Sequence, residues 1–411
     1  MDRRSPSDVA TLAKRYGPSA DVDHGDRSDA MLFRCLAADP VSGMTLVISG
    51  LSVANPMKDL GGTMHSLRLI WVLLLSCWAG QAQALRPVPP DELRRAAPGD
   101  VLRVTPLPGG APDGIRAYRI LYRSQGMDGG PVLVSGAMFY ANIENERHPR
   151  PILAWAHPTT GVTRDCSPTR RTDVFNKIPG IEALVRGGFA VIATDYAGFA
   201  SVDPHPYLVG ESHARSVLDA VRAVRQFRKF RSSNRFAVWG HSQGGHAALW
   251  TGELQPSYAP ELELVGVAAA APATQLADLF RSNVGRIWGN ALTAMALHAW
   301  AHVYNIPAST VIHPAATPAY RRLARDCLMS LSDVLKILRD ERPLEKGPFF
   351  LRNPTEVPVW RQIMDVNSPG QQTIAAPVLI AQGRRDRIVP HHLTKRFAAD
   401  RCASGSRIHF V

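Results

Sequence analysis

The stretch WGHSQGGHAALW, Trp239 to Trp250, places a serine between glycines in the order Gly240-His241-Ser242-Gln243-Gly244. A serine in a G-x-S-x-G pattern says little alone, but this one follows the strand-like run RFAVW and opens an Ala-rich helical run. That context is what a nucleophile elbow requires, a strained turn in which only glycines let strand and helix approach. The other candidate, GESHA around Ser212, lacks the final glycine and the preceding strand. Ser242 is therefore the candidate nucleophile, at a helix N-terminus whose unpaired N–H groups face the reaction.

Working outward, IRAYRILYRS and PVLVSGAMFY alternate with β-branched and aromatic residues and predict an antiparallel opening. PILAWAHP, FAVIATDY, RFAVWG and LELVGVAAAAP read as buried strands, separated by the helical runs IEALVRGG, ESHARSVLDAVRAVRQFRKF and HSQGGHAALWTGEL. Strands alternating with helices imply right-handed crossovers and a mostly parallel sheet. In the second helix Val217, Leu218, Val221, Val224 and Phe227 share one face, and the arginines opposite read as a solvated surface. From about residue 274 to 370 the text turns helical and proline-rich before APVLIAQG resumes the sheet. An insertion of that length is too long for a simple connection and reads as a cap over the C-terminal edge of the strands.

Composition bounds the rest. With 411 residues and 45% hydrophobic content the chain is globular, and its net charge of +12 falls wholly after residue 84, since residues 1–84 carry equal numbers of basic and acidic side chains. A basic exterior suits anionic surfaces or cell envelopes, but the arginines are scattered among helical positions with no nucleic-acid motif, so no nucleic-acid partner is expected. The segment from Met64 has a basic Arg68, a short apolar core and Ala82-Gln83-Ala84, which reads as a signal peptide over 64–84 cleaved before Leu85. The apolar run is too short for a stable transmembrane span. The protein is thus expected to be secreted or periplasmic, with residues 1–63 a poorly ordered extension from a start codon assigned too far upstream. Three cysteines, Cys166, Cys327 and Cys402, remain beyond residue 84, so two can pair and one is left over. No H-E-x-x-H run, zinc-spaced cysteine pair or phosphate loop is present, so no metal or cofactor is expected.

The chemistry of acyl transfer then names further residues. Besides the N–H of Gln243, a second oxyanion donor should follow an earlier strand, where AHPTTG stands. Pro158 has no N–H, which leaves Thr160 or Thr159, with Thr160 preferred. An acid should follow the next sheet strand, and PVLIAQGRRDRIVP supplies Asp386, which would hold a histidine in its working tautomer. The competing reading is a solvated Asp386 paired with Arg384 or Arg387.

At these residues the chain resembles the secretory lipase family of α/β-hydrolases. The matching text is AHPTTG with DCSPT, ATDYAGF, YLVGESHARSVLDAVRAV, WGHSQGGHAALW with SYAPEL, and GRRDRIVP with RCASGSRIHF, running in order from Pro151 to Val411. The resemblance implies an α/β-hydrolase domain over 85–411 with a helical cap, and hydrolysis of carboxylic esters, lipids foremost, through an acyl-enzyme on Ser242 at a lipid interface. It also implies a Cys166–Cys327 disulfide, which would leave Cys402 as the odd cysteine.

In this fold the order is Ser, acid, His, yet only His391, His392 and His409 follow Asp386. The first two open a helix too near Asp386 along the chain to reach back, and His409 lies inside RIHFV, which reads as the last strand. The base is expected to be missing from this text, through a frame truncated at its C-terminal end, and the chain as written to be nearly inactive. Two readings compete with a lipase: a serine peptidase of the same fold, and a non-catalytic binding protein.

Overall fold

The computed structural model describes residues 87–142, 149–201, 204–227 and 231–411. The expected extension over 1–63 and signal peptide over 64–84 lie outside the described residues. After a short helix α1 (Pro90–Arg95), strands β1 (Val101–Pro106), β2 (Ile115–Gln125) and β3 (Pro131–Ala141) form an antiparallel meander. The β2–β3 turn closes on itself: Gly126 N–H donates to Gly130 O at 2.8 Å, and Gly130 N–H to Asp128 Oδ1 at 3.0 Å. Chain reversal here needs a left-handed residue, and Gly129 supplies it at φ +83°.

Strands β4 (Arg150–Ala156), β5 (Ala190–Ala197), β6 (Ser232–His241), β7 (Glu263–Ala270), β8 (Val378–Ala381) and β9 (Ile408–Phe410) extend the sheet in the order β1-β2-β3-β5-β4-β6-β7-β8-β9. From β5 to β9 every pairing is parallel, as the strand-helix alternation requires. Helix α2 (Ile181–Arg186) lies between β4 and β5, α3 (Gly210–Gln226) between β5 and β6, and α4 (Gln243–Tyr258) between β6 and β7. All eight residues of β5 are buried, which is why its text is a nearly continuous apolar run.

Helix α3 buries Val217, Leu218, Val221 and Val224 against the sheet. Its arginines differ from the solvated face read in the sequence. Arg222 keeps 17% of its side-chain surface exposed and pairs with the fully buried Asp219 at 2.9 Å and with Glu261 at 2.7 Å, while Arg215 pairs with Glu211. Asp219 also accepts from Ser124 Oγ and Tyr258 Oη, so its charge is compensated by three partners. Periodicity found the apolar face but could not show that Glu261, from beyond the next helix, joins Glu211 and Asp219 of the same helix in pairing these arginines.

Between β7 and β8 run helices α5 (Leu276–Asn283), α6 (Ile287–Val303), α7 (Thr317–Leu323), α8 (Leu331–Glu341) and α9 (Pro358–Asn367). They have an apolar core of their own, around the fully buried Trp300, Trp360, Met295 and Leu297, which continues to Tyr207 and Leu208 ahead of α3. A disulfide joins Cys166, in the loop after β4, to Cys327, between α7 and α8, across 161 residues. In the chain-entropy account such a loop constrains the unfolded state by about 5 kcal/mol, an upper estimate. Cys402, the cysteine that the count left over, is disulfide-bonded too. Helix α10 (His391–Ala403) then leads to β9, so RIHFV is the edge strand of the sheet and His391 and His392 open a helix.

Candidate active site

Ser242 is the residue between β6 and α4, with φ 57° and ψ −116°. A non-glycine residue there is strained, and the surroundings enforce it. A Cβ on Gly244 would stand 1.9 Å from the carbonyl oxygen of Ala156, and one on Gly240 2.1 Å from the carbonyl oxygen of Gly244. The two glycines of the motif therefore let β4, β6 and α4 meet, and the turn between them has one available path. Ser242 N–H donates to Ala270 O at 2.8 Å and its carbonyl accepts from His246 N–H at 3.0 Å. That leaves the N–H of Gln243, the first residue of α4, among the amides a helix start cannot satisfy internally.

The two threonines of AHPTTG have different partners. Thr159 Oγ1 is bonded to Tyr207 Oη at 2.9 Å, whereas Thr160 Oγ1 is buried without a partner. The Thr160 carbonyl accepts from Leu328 N–H at 2.9 Å, next to the Cys166–Cys327 disulfide. The loop carrying Thr160 is thus held from the side of the helical segment.

Beneath the elbow stands a group of residues that the sequence did not announce. The buried amide of Gln243 reaches His205 Nε2 at 2.7 Å and His213 Nε2 at 3.3 Å. The His205 and His213 rings stack at 5.1 Å, His246 meets His213 edge-on at 5.5 Å, and His157 packs on Tyr196 at 4.5 Å. Burial pushes His205 down to about 3 and His246 to about 4, and lowers His213 and His157 for the same reason. These imidazoles are neutral at pH 7. His205 Nδ1 donates to Ala197 O at 2.8 Å, so its Nε2 accepts from the Gln243 amide and fixes that side chain. They come from four separate segments, with no spacing that would tie them together in a sequence. Asp195, in the ATDY text, is likewise structural: buried, it accepts from Ser135 Oγ, Ser167 Oγ and Thr169 and fastens the loop after β4 to the sheet.

Asp386 follows β8. Its Oδ1 accepts the N–H groups of Ile388 at 2.8 Å and Val389 at 2.9 Å, and its Oδ2 the Gln382 amide at 3.3 Å. It makes no ion pair with Arg384 or Arg387. Gln382 is itself held by Thr394 Oγ1 and Val389 O. Burial lowers the pKa of His241, the elbow residue before the nucleophile, and the Asp386 charge opposes that shift.

A narrow cavity of ≈ 40 Å³ opens over Ser242, walled by Tyr207, Leu208, Ala273, Leu279, Phe280, Leu292 and Val389. Asn283 and Ile388 belong both to its wall and to that of an open groove of ≈ 470 Å³ beside Arg286, Trp288 and Arg387. Among the described residues no histidine is hydrogen-bonded to Ser242 or Asp386. His391 packs edge-on against Phe410 at 5.5 Å, and His409 sits in β9 opposite Leu379. Nor does any group of three or more His, Cys, Asp or Glu among the described residues form a set that could hold a metal ion.

Sheet order, elbow and the helical segment between β7 and β8 define an α/β-hydrolase. The chain belongs to the secretory lipase family, whose model matches residues 176–411. It is 25% identical over 256 residues to Lipase A of Moesziomyces aphidis, covering 59% of this chain and 53% of that one, so it spans about half the length of that relative. It is also 25% identical over 340 residues to a probable inactive lipase of Mycobacterium tuberculosis, covering 78% of this chain and 74% of that one. The fold matches the rice cell wall degrading esterase LipA of Xanthomonas oryzae with a TM-score of 0.64 at 24% identity, over 77% of this chain and 91% of that one.

Proposed function

We propose that this chain is a secreted carboxylic ester hydrolase framework acting on lipid esters, with Ser242 as acyl acceptor. The observation that carries the reading is Ser242 in its strained turn, facing a cavity walled by Leu279, Phe280 and Leu292. An acyl group fits such walls, and a peptide backbone, whose N–H and C=O groups would be buried without partners, fits them poorly. In this reading the Gln243 N–H and Thr160 form the oxyanion hole. The unpartnered Thr160 hydroxyl supports that role, because an oxyanion would give it an acceptor. Asp386 is the acid, and its two backbone N–H bonds fix the carboxylate in place for that role.

Among the described residues no histidine joins Ser242 to Asp386, so within them the serine hydroxyl has no general base. The oxyanion hole and binding alone still provide roughly 10³–10⁴-fold over water. The expected behaviour is slow, Ser242-dependent acylation by activated esters. Hydrolysis of p-nitrophenyl esters of increasing chain length, compared between the chain and Ser242→Ala, tests this; equal rates in the two would refute it. A second reading is favoured by the absence, among the described residues, of a histidine on Asp386 and by the relative named a probable inactive lipase. It is a hydrolase-fold protein that binds lipid without turnover, and it predicts that Ser242→Ala changes nothing measurable. Secretion through the 64–84 signal accords with the family and is tested by N-terminal sequencing of exported protein, which should begin at Leu85.

A further inference from the structure

Helix α8 shows solvent a face that its composition does not account for. Leu331, Leu335 and Leu338, spaced i, i+4 and i+7, are 75%, 60% and 37% exposed and form one apolar stripe along the helix. The opposite side buries Ile337, Asp340 and Glu341 against the rest of the helical segment. Single exposed leucines are ordinary, but a continuous helical stripe of them is a contact surface awaiting a partner.

The charges around the stripe state the partner's sign. Residues 321–342 contain six cations and four acids. The acids turn inward: Asp326, Asp340 and Glu341 are buried, and Asp333 accepts Met329 N–H at 2.9 Å at the helix start. The cations turn outward. Arg321, Arg322, Arg325, Arg339 and Arg342 are exposed, Arg322 and Arg339 reaching back to Asp340 at 3.4 and 3.2 Å, and Lys336 lies over Asp326. An apolar stripe bordered by outward cations and backed by inward acids is the arrangement of a helix lying in the interface of an anionic bilayer. The C-terminal end of α8 reaches the cavity wall: Asn290 Nδ2 donates to Glu341 Oε1 at 2.8 Å, and Asn290 follows Gly289, which lines the Ser242 cavity.

We propose that α8 docks the protein on anionic phospholipid surfaces, Leu331, Leu335 and Leu338 entering the acyl boundary while Arg339 and Arg342 meet the headgroup phosphates. The proposal rests on the lipid-ester reading only for its purpose; docking itself needs neither a base nor turnover.

The test is flotation of the full chain carrying Ser242→Ala, which separates binding from hydrolysis. The vesicles are phosphatidylcholine alone, or phosphatidylcholine mixed with phosphatidylglycerol. Binding to the mixed vesicles should exceed binding to the neutral ones by roughly tenfold or more at low salt and weaken as salt screens the cations. Leu331→Ser with Leu335→Ser should lower partitioning by roughly tenfold or more, and Arg339→Gln with Arg342→Gln should lose most of the anionic preference. Val265→Ser, an exposed apolar residue at the start of β7, should change nothing. Each variant alters exposed side chains, so unchanged melting temperatures verify folding. Equal binding by stripe variants and parent, or no binding by the parent, overturns the proposal. So does a stripe variant that dissolves a dimer without altering vesicle binding, since the occupant would then be a second copy. Ser242-independent ester hydrolysis alongside intact docking would sink only the hydrolase reading.

Discussion

The elbow at β6–α4 and the acid loop after β8 serve one proposed reaction but are built in different ways. At the elbow, backbone contacts leave Ser242 no alternative: a Cβ at Gly240 or Gly244 would collide with main-chain oxygen, and four buried neutral histidines pack beneath it. At the acid loop, Asp386 is held by two backbone N–H bonds and one amide on a strand of four residues, amid exposed arginines. Strain at the nucleophile is maintained by the whole sheet, whereas the acid's position rests on a few local hydrogen bonds.

The sharpest way to break this contrast is Gly244→Val. With 1.9 Å between its Cβ and a main-chain oxygen, strand and helix must separate, and a loss of about 4 kcal/mol or outright failure to fold is expected in urea unfolding. A nearly silent Gly244→Val would show that the elbow is looser than its geometry.

Acid should act on the same region. His205 and His246 have folded pKa values below their unfolded ones, so their contribution is present above the unfolded value near 6.5 and is lost as pH falls toward about 3 and about 4. Each approaches roughly 1.4 kcal/mol per pH unit below the unfolded value, so between pH 6.5 and 5 the pair should cost about 3 kcal/mol. Replacing His246 with Gln should reduce that slope; an unchanged slope would place the lability elsewhere.

Reduction of Cys166–Cys327, or Cys327→Ser, should remove about 3 kcal/mol of stability and free the Thr160 loop, read as a lower melting temperature. The smallest effect belongs to the acid loop. Gln382→Ala removes a donor to Asp386 and to Val389 O and should cost only about 1–2 kcal/mol. A larger loss there than at the elbow would reverse the comparison.

How much of this could be read from the sequence follows the same division. Strands such as PILAW and FAVIATDY declare themselves because burial on both faces demands continuous apolar text, and the elbow because its glycines are sterically required. The long helical segment showed as an interruption between two strand signals. The histidines at 157, 205, 213 and 246 stayed hidden because each is alone in its own segment and only the fold stacks them. The clamped arginines of α3 stayed hidden for a related reason: Glu261, one of their partners, lies beyond the next helix in the chain. The α8 stripe escaped notice because helical periodicity cannot distinguish an apolar face turned to the core from one turned to solvent.

The measurement that bears most directly on the central claim is the steady-state hydrolysis of p-nitrophenyl butyrate by three proteins: the chain itself, Ser242→Ala and Asp386→Asn. A prepared nucleophile with an uncoupled acid predicts slow turnover that Ser242→Ala abolishes and Asp386→Asn leaves within about twofold, since no histidine among the described residues transmits the acid's effect. Fast turnover lost equally in both variants would contradict the account, because it would require a base working between Ser242 and Asp386.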